Sequence, residues 1–173
     1  HSISSLQDMK DKTILLDGFS KTYAMTGWRL GYAAMRKDLA QKVTQLMINS
    51  NSCTCAFTQM AGVEALRGPQ DEAKKFVEEF RRRREVIVNG LNKIKGITCK
   101  KPRGAFYVFP NVKSFGIEAK KVADHILQDA GVAVLSGTAF GTYGEGYLRL
   151  SFANSVENIK KATERISESL KKL

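Results

Sequence analysis

The chain has 173 residues, of which 43% are hydrophobic and 26% charged, and it carries a formal net charge of +11 at pH 7. That length accommodates one large domain or two small ones with a real core, and the balance excludes a disordered chain. No apolar run approaches the roughly 18–20 residues that span a bilayer, and residues 1–10 lack the apolar segment of a signal peptide, so a cytoplasmic protein with no membrane contact is expected.

In chain order, Thr13–Asp17 is a short apolar run bounded by polar residues and reads as a buried strand. Residues 18–27 read as loop, and Trp28–Met35 reads as a second strand rich in aromatic and aliphatic side chains. A helix is predicted over 38–48, broken by Asn49-Ser50-Asn51-Ser52, and another over 58–66 that stops at Arg67-Gly68-Pro69. The longest periodic stretch is 70–95, where Ala73, Phe76, Val77, Phe80, Ile87, Leu91 and Ile94 recur at three- and four-residue steps, with Gly96 to end it. Beyond it, strands are predicted at 105–109 (halted by Pro110), 132–135 and 147–152, with a helix over 117–130 ended by Gly131. Asn154 and Glu157 have the spacing of a capping box for a final helix whose apolar face carries Ile159, Ala162, Ile166 and Leu170.

The charge and the cysteines say less than their prominence suggests. Arg81-Arg82-Arg83-Arg84 is flanked by Glu78, Glu79 and Glu85, the pattern of a salt-bridged helix surface, and the remaining lysines do not line one stripe. Nucleic-acid binding is therefore not expected. Cys53-Thr54-Cys55 has one residue between its thiols where a zinc knuckle has two, so reduced, partly buried thiols and no metal site are expected.

The chemistry concentrates in Gly18-Phe19-Ser20-Lys21-Thr22-Tyr23-Ala24-Met25-Thr26-Gly27-Trp28-Arg29-Leu30-Gly31-Tyr32. A lysine amine can form a Schiff base with an aldehyde, and a planar guanidinium grips phosphate oxygens. Desolvation or a neighbouring cation would be needed to make that amine nucleophilic near neutral pH. The run resembles the cofactor-lysine segment of the class I (fold type I) pyridoxal-phosphate aminotransferases, of the aspartate and aromatic type. Pro102-Arg103-Gly104-Ala105-Phe106-Tyr107 and Tyr147-Leu148-Arg149-Leu150-Ser151-Phe152-Ala153-Asn154-Ser155 are similar to further signatures of that family.

The resemblance implies an α/β to α+β fold matching only the C-terminal part of an enzyme more than twice this length. The end of the large cofactor-binding domain would occupy about 1–70, a bridging helix 71–96 and a small α+β domain 97–173. Lys21 would be the catalytic residue, holding pyridoxal 5'-phosphate as a Schiff base and moving the Cα proton. Arg29 would clamp the cofactor phosphate with help from Ser20, and Arg149 would bind the substrate α-carboxylate. Gly18 stands where many relatives have a phosphate-contacting serine, so it would contribute only close backbone approach. Asp17 is not the acid that pairs with the ring nitrogen, which in the family precedes the lysine by much more. The aromatics Phe106 and Tyr107 read as core or pocket wall with no chemistry of their own, Tyr23 and Trp28 as packing, and His125 as a solvated helix residue. The expected activity is transfer of an amino group from an amino acid to a 2-oxo acid by a homodimer, the 173-residue chain alone being inactive. Elimination at the β or γ carbon by a lyase of the same fold uses the same residues and stays open. An aminotransferase-like sensor fused to a DNA-binding module, or a non-catalytic assembly domain, are the readings of a different class.

Overall fold

The computed structural model describes residues 2–173. They divide into two compact units, one reaching to Lys74 and one from Lys75 to Leu173.

The first unit begins with single 3₁₀ turns at Ile3–Ser5 and Lys10–Lys12, then a two-stranded antiparallel sheet of β1 (Leu15–Gly18) and β2 (Gly31–Ala34). Both strands are shorter than the pattern predicts. Residues 19–22 form a single helical turn, α1 (Phe19–Thr22), where loop was expected. Phe19 explains the turn. It is buried, its N–H donates to the Leu30 carbonyl, and its ring lies 5.6 Å from both Tyr23 and Tyr32. Two longer helices follow, α2 (Lys37–Ser50) and α3 (Ala56–Arg67). Gly62 of α3 faces Leu30 and Phe19 so closely that a Cβ would collide with Leu30, which ties α3 to the base of α1. Most apolar side chains of these helices stay exposed, among them Leu46, Met47, Phe57, Met60 and Leu66.

The second unit holds the main core. Helix α4 (Asp71–Asn92), whose first turn belongs to the first unit, stops three residues before the predicted end. The chain tightens there into i→i+3 bonds from Lys93 and Ile94, and the Asn92 amide exchanges two hydrogen bonds with the Cys99 backbone at 2.8 and 2.9 Å. Gly96, at φ +92°, completes the turn. Of the predicted apolar stripe, Ile87, Leu91 and Ile94 are buried with Val88, whereas Phe76 and Val77 are exposed. The arginine run is ion-paired: Arg81 with Glu78, Arg82 and Arg83 with Glu79 at 2.8 and 2.7 Å, and Arg84 with Glu85. Hydrogen bonds from Arg82 and Arg83 hold the Glu79 carboxyl at about 2. This is a salt-bridged surface rather than an open basic stripe.

Three strands, β3 (Tyr107–Val108), β4 (Leu135–Ser136) and β5 (Leu148–Ser151), make an antiparallel sheet in the order β3-β5-β4. β4 falls at the end of the predicted strand because only Leu135 and Ser136 find ladder partners, Arg149 and Leu148. Helix α5 (Ala119–His125) widens into a π turn at Ile126–Ala130 and ends, as predicted, at Gly131, with φ +63°. His125 is half-buried with Nε2 3.1 Å from the Ser169 carbonyl, not solvated as the sequence suggested. The last helix, α6 (Val156–Leu170), is capped by Ser155, whose hydroxyl accepts the Asn158 N–H at 3.1 Å; Asn154 and Glu157 do not form the predicted box. Its buried face includes Thr163 where Ala162 was expected. Thr163 donates to the Ile159 carbonyl and sits against Gly90, so two small residues let α4 and α6 approach closely. Leu91, Val108, Ile126, Leu148, Phe152 and Ile166 form the centre of the core.

Among the described residues, no helix is long and apolar enough to cross a membrane. Likewise no group of three or more His, Cys, Asp or Glu residues could hold a metal ion. Cys99 is buried, which pushes its thiol up to about 11, while Cys53 and Cys55 are exposed rather than partly buried.

Candidate functional site

The antiparallel pair in the first unit brings the two ends of the chemistry-bearing run together. Gly18 pairs with Gly31, so residues 19–30 form a closed excursion between β1 and β2. Ser20 and Lys21 lie on the α1 turn at the start of that excursion, and Arg29 lies near its return. The Ala24 N–H donates to the Lys21 carbonyl at 3.3 Å, carrying the chain from the lysine turn into the next bend. Lys21 is solvent-exposed, so the desolvation expected for it is not provided by this chain.

Backbone conformation marks the loop as unusual. Ala24 and Arg29 adopt φ +54° and +53°, a left-handed region that costs non-glycine residues on the order of 1–3 kcal/mol each. Such conformations persist only where the surroundings enforce them, and two within six residues single out this bend. Arg29 Nη1 donates to the Thr26 carbonyl at 2.9 Å, which orients the guanidinium on its own loop. Gly18, in contrast, has φ −147°, and a Cβ there would make only ordinary contact with the Leu30 carbonyl oxygen at 3.8 Å. Its N–H donates to Asp17 Oδ1 at 2.7 Å, so the glycine offers neither a required backbone conformation nor an uncommitted amide. Asp17 accepts also from the Tyr32 hydroxyl at 3.3 Å, which makes it a strut of the sheet.

Residues 24–29 and 53–58 enclose an open cleft of about 680 Å³ lined by Ala24, Gly27, Trp28, Arg29, Thr54 and Phe57, with both exposed cysteines on its wall. The buried Thr58 forms its floor. The lining contains a guanidinium, hydroxyls and aromatic surface but no carboxylate. That donor set suits an anionic, flat ligand. The contribution of residues 53–58 had no signal in the sequence beyond two cysteines, because nothing local shows that this segment returns to Arg29.

Arg149 belongs to the second unit. On β5 it alternates with the buried Leu148 and Leu150, so its side chain projects from the opposite face of the sheet, half-buried. Its guanidinium carbon lies 4.5 Å from the Tyr107 ring centre and 4.2 Å from that of Phe140. Among the described residues no aspartate or glutamate forms an ion pair with it. A half-buried cation held by rings rather than by an acid is the environment of an anion receptor. The sequence marks Tyr107 as core or pocket wall and gives no reading of Phe140, whose glycine-flanked position in Gly137–Gly141 was the available signal.

The first unit thus carries an amine and a guanidinium on one strained loop, and the second unit carries a guanidinium between two aromatic rings. The chain belongs to the aminotransferase class I and II family, whose sequence profile matches residues 2–166. It is 41% identical to an aspartate aminotransferase of Pyrococcus abyssi over 175 aligned positions, covering 99% of this chain and 44% of that protein. An aromatic-amino-acid aminotransferase of Thermococcus litoralis is 38% identical, again over 99% of this chain and 44% of its own length. The solved aromatic aminotransferase from Pyrococcus horikoshii superposes with a TM-score of 0.94 at 38% identity, covering 99% of this chain and 46% of that one. The aspartate aminotransferase from Rhizobium meliloti gives 0.88 at 38% identity, over 94% and 42%. The chain thus spans a little under half the length of the relatives it matches, and its fold is that of the C-terminal part of the family.

Proposed function

We propose that this chain is the C-terminal part of a pyridoxal-phosphate-dependent aminotransferase, a cytoplasmic homodimer that moves an amino group from an amino acid to a 2-oxo acid. The observation that carries the reading is the loop of residues 19–30, which sets Lys21 and Arg29 on one excursion with left-handed backbone at Ala24 and Arg29. The donor types fit the cofactor: a primary amine for its aldehyde, and a guanidinium and the Ser20 hydroxyl for its phosphate, with Arg29 of that set lining the cleft without carboxylates.

Pyridoxal phosphate, when bound, supplies an aldehyde and a ring that accepts electrons from the substrate Cα. The chain's own residues have separate tasks. Lys21 Nζ would be the amine that holds the cofactor aldehyde, and the same nitrogen would accept and return the substrate Cα proton. Arg29, oriented by its bond to the Thr26 carbonyl, would hold the cofactor phosphate. Arg149 takes both oxygens of the substrate α-carboxylate, which fixes the direction of the Cα–H bond.

Product analysis of the complete enzyme tests the reading. Incubation with an amino acid and a 2-oxo acid is expected to yield the exchanged pair with no free ammonia. Release of ammonia without a new amino acid would show an eliminating lyase instead. Lys21→Ala is expected to remove the visible absorbance of the cofactor-bound enzyme, and colour that survives dialysis in that variant would count against the lysine.

A further inference from the structure

We propose that Tyr107 and Phe140 are positioning residues: an aromatic clamp that holds the Arg149 guanidinium ready for a carboxylate. The proposal rests on the reading of Arg149 as the carboxylate receptor. It adds how that receptor is built when, among the described residues, aromatic rings rather than an acid lie against the arginine.

The geometry supports a clamp rather than incidental packing. Tyr107 stands opposite Ser151 on β5, so it is the diagonal neighbour of Arg149 across the β3–β5 ladder. Phe140 reaches the same guanidinium from the other side of β5, at the end of the 3₁₀ turn Gly137–Phe140 that follows β4. Both rings are themselves held. Ala105, at φ +57°, turns the chain into β3, and Phe106 packs 4.5 Å from Tyr107. Phe140 meets Phe109 edge-on at 6.4 Å, and Phe109 stacks on Tyr147 at 5.4 Å. A Cβ at Gly137 would strike the Gly144 carbonyl, so two glycines press the 3₁₀ turn against the following loop and fix where Phe140 emerges. Phe140 remains 52% exposed, so the face of the clamp is open to a ligand from solvent.

The chemistry favours rings over an acid here. A carboxylate partner would orient Arg149 equally well, but it would occupy the fork that a ligand must use. Cation–π contact stabilises the charge through the ring quadrupole and leaves the guanidinium donors uncommitted. An arginine confined this way loses less rotamer freedom on binding, which lowers the cost of capturing an anion.

The test is made on the complete enzyme with 2-oxoglutarate as the carboxylate probe, its Kd measured by titration calorimetry and KM and kcat measured separately. Phe140→Leu and Tyr107→Leu are each expected to weaken Kd and raise KM by about two- to tenfold, the range a partly desolvated cation–π contact spans, while kcat changes little. Tyr107→Phe and Phe140→Tyr, which keep the ring, are expected to retain near-normal Kd. A lowered Tm with unchanged Kd in the leucine variants would show that the rings only pack the unit and would overturn the clamp. Arg149→Ala separates the two layers of the argument. If it abolishes probe binding while the leucine variants bind normally, the clamp is wrong and the receptor stands. If Arg149→Ala itself binds normally, the receptor reading falls and the clamp with it.

Discussion

The two units differ in how far each satisfies its own apolar residues. From Lys75 onward, α4, α5, α6 and the three-stranded sheet enclose a continuous buried cluster, with Leu91 and Phe152 at 1% exposure. Up to Lys74, Phe19 and Met25 are the buried hydrophobics, while Leu46, Phe57 and Met60 lie open. Amphipathic helices leave such faces for another layer to cover. The loop with Lys21 and Arg29 therefore stands on the less self-sufficient unit. The lesson is that the well-packed core and the loop bearing Lys21 and Arg29 lie on different units of this chain.

Perturbing both units in the same way is the sharpest way to break that contrast. In the 173-residue chain, Leu91→Ala should destabilise the second unit by about 2–5 kcal/mol, as removal of a buried leucine does. Leu46→Ala in the first should stay within about 0.5 kcal/mol. Urea titration followed by circular dichroism reads both, and equal losses would erase the distinction. Thiol labelling separates the units chemically: Cys53 and Cys55 should react with a maleimide in the native chain, and Cys99 only after unfolding. Early labelling of Cys99 would mean that its unit opens readily.

Smaller effects sharpen the picture of the second unit. Ser155→Ala should cost about 1 kcal/mol by removing the cap of α6, whereas Asn154→Ala should cost less, because Asn154 bonds only the neighbouring Ser155 and Asn158. Comparing the two midpoints in urea decides which residue is the cap. Glu79 gives a pH signature. Its carboxyl is depressed to about 2 from an ordinary 4.5, so its contribution is complete above about 4.5 and disappears as pH falls toward 2. Glu79→Gln should flatten that part of the stability profile, and an unchanged acid slope would assign it to other carboxylates.

Most of the helices were legible because their apolar residues recur at helical spacing; Gly131 ends its segment where expected, whereas α4 stops at Asn92, short of Gly96. The errors share a cause. The capping box was misplaced by one residue because Asn154 and Ser155 are both good caps, and only the backbone decides between them. The strand over 132–135 shifted because strands exist through partners, which a single sequence does not display. Lys21, Arg29 and Arg149 were visible as motifs, and Ser20 travels with them. The cleft wall at residues 53–58 and the rings over Arg149 arise from distant segments meeting, and the left-handed bend at Ala24 and Arg29 has no glycine to mark it. Gly18 turned out to have no steric reason to be glycine.

The central claim is that Lys21 is the amine that carries the cofactor. Reduction of the cofactor-loaded complete enzyme with borohydride, followed by peptide mass spectrometry, should place the pyridoxyl group on the peptide containing Lys21. An adduct on any other lysine, with Lys21 unmodified, would contradict it.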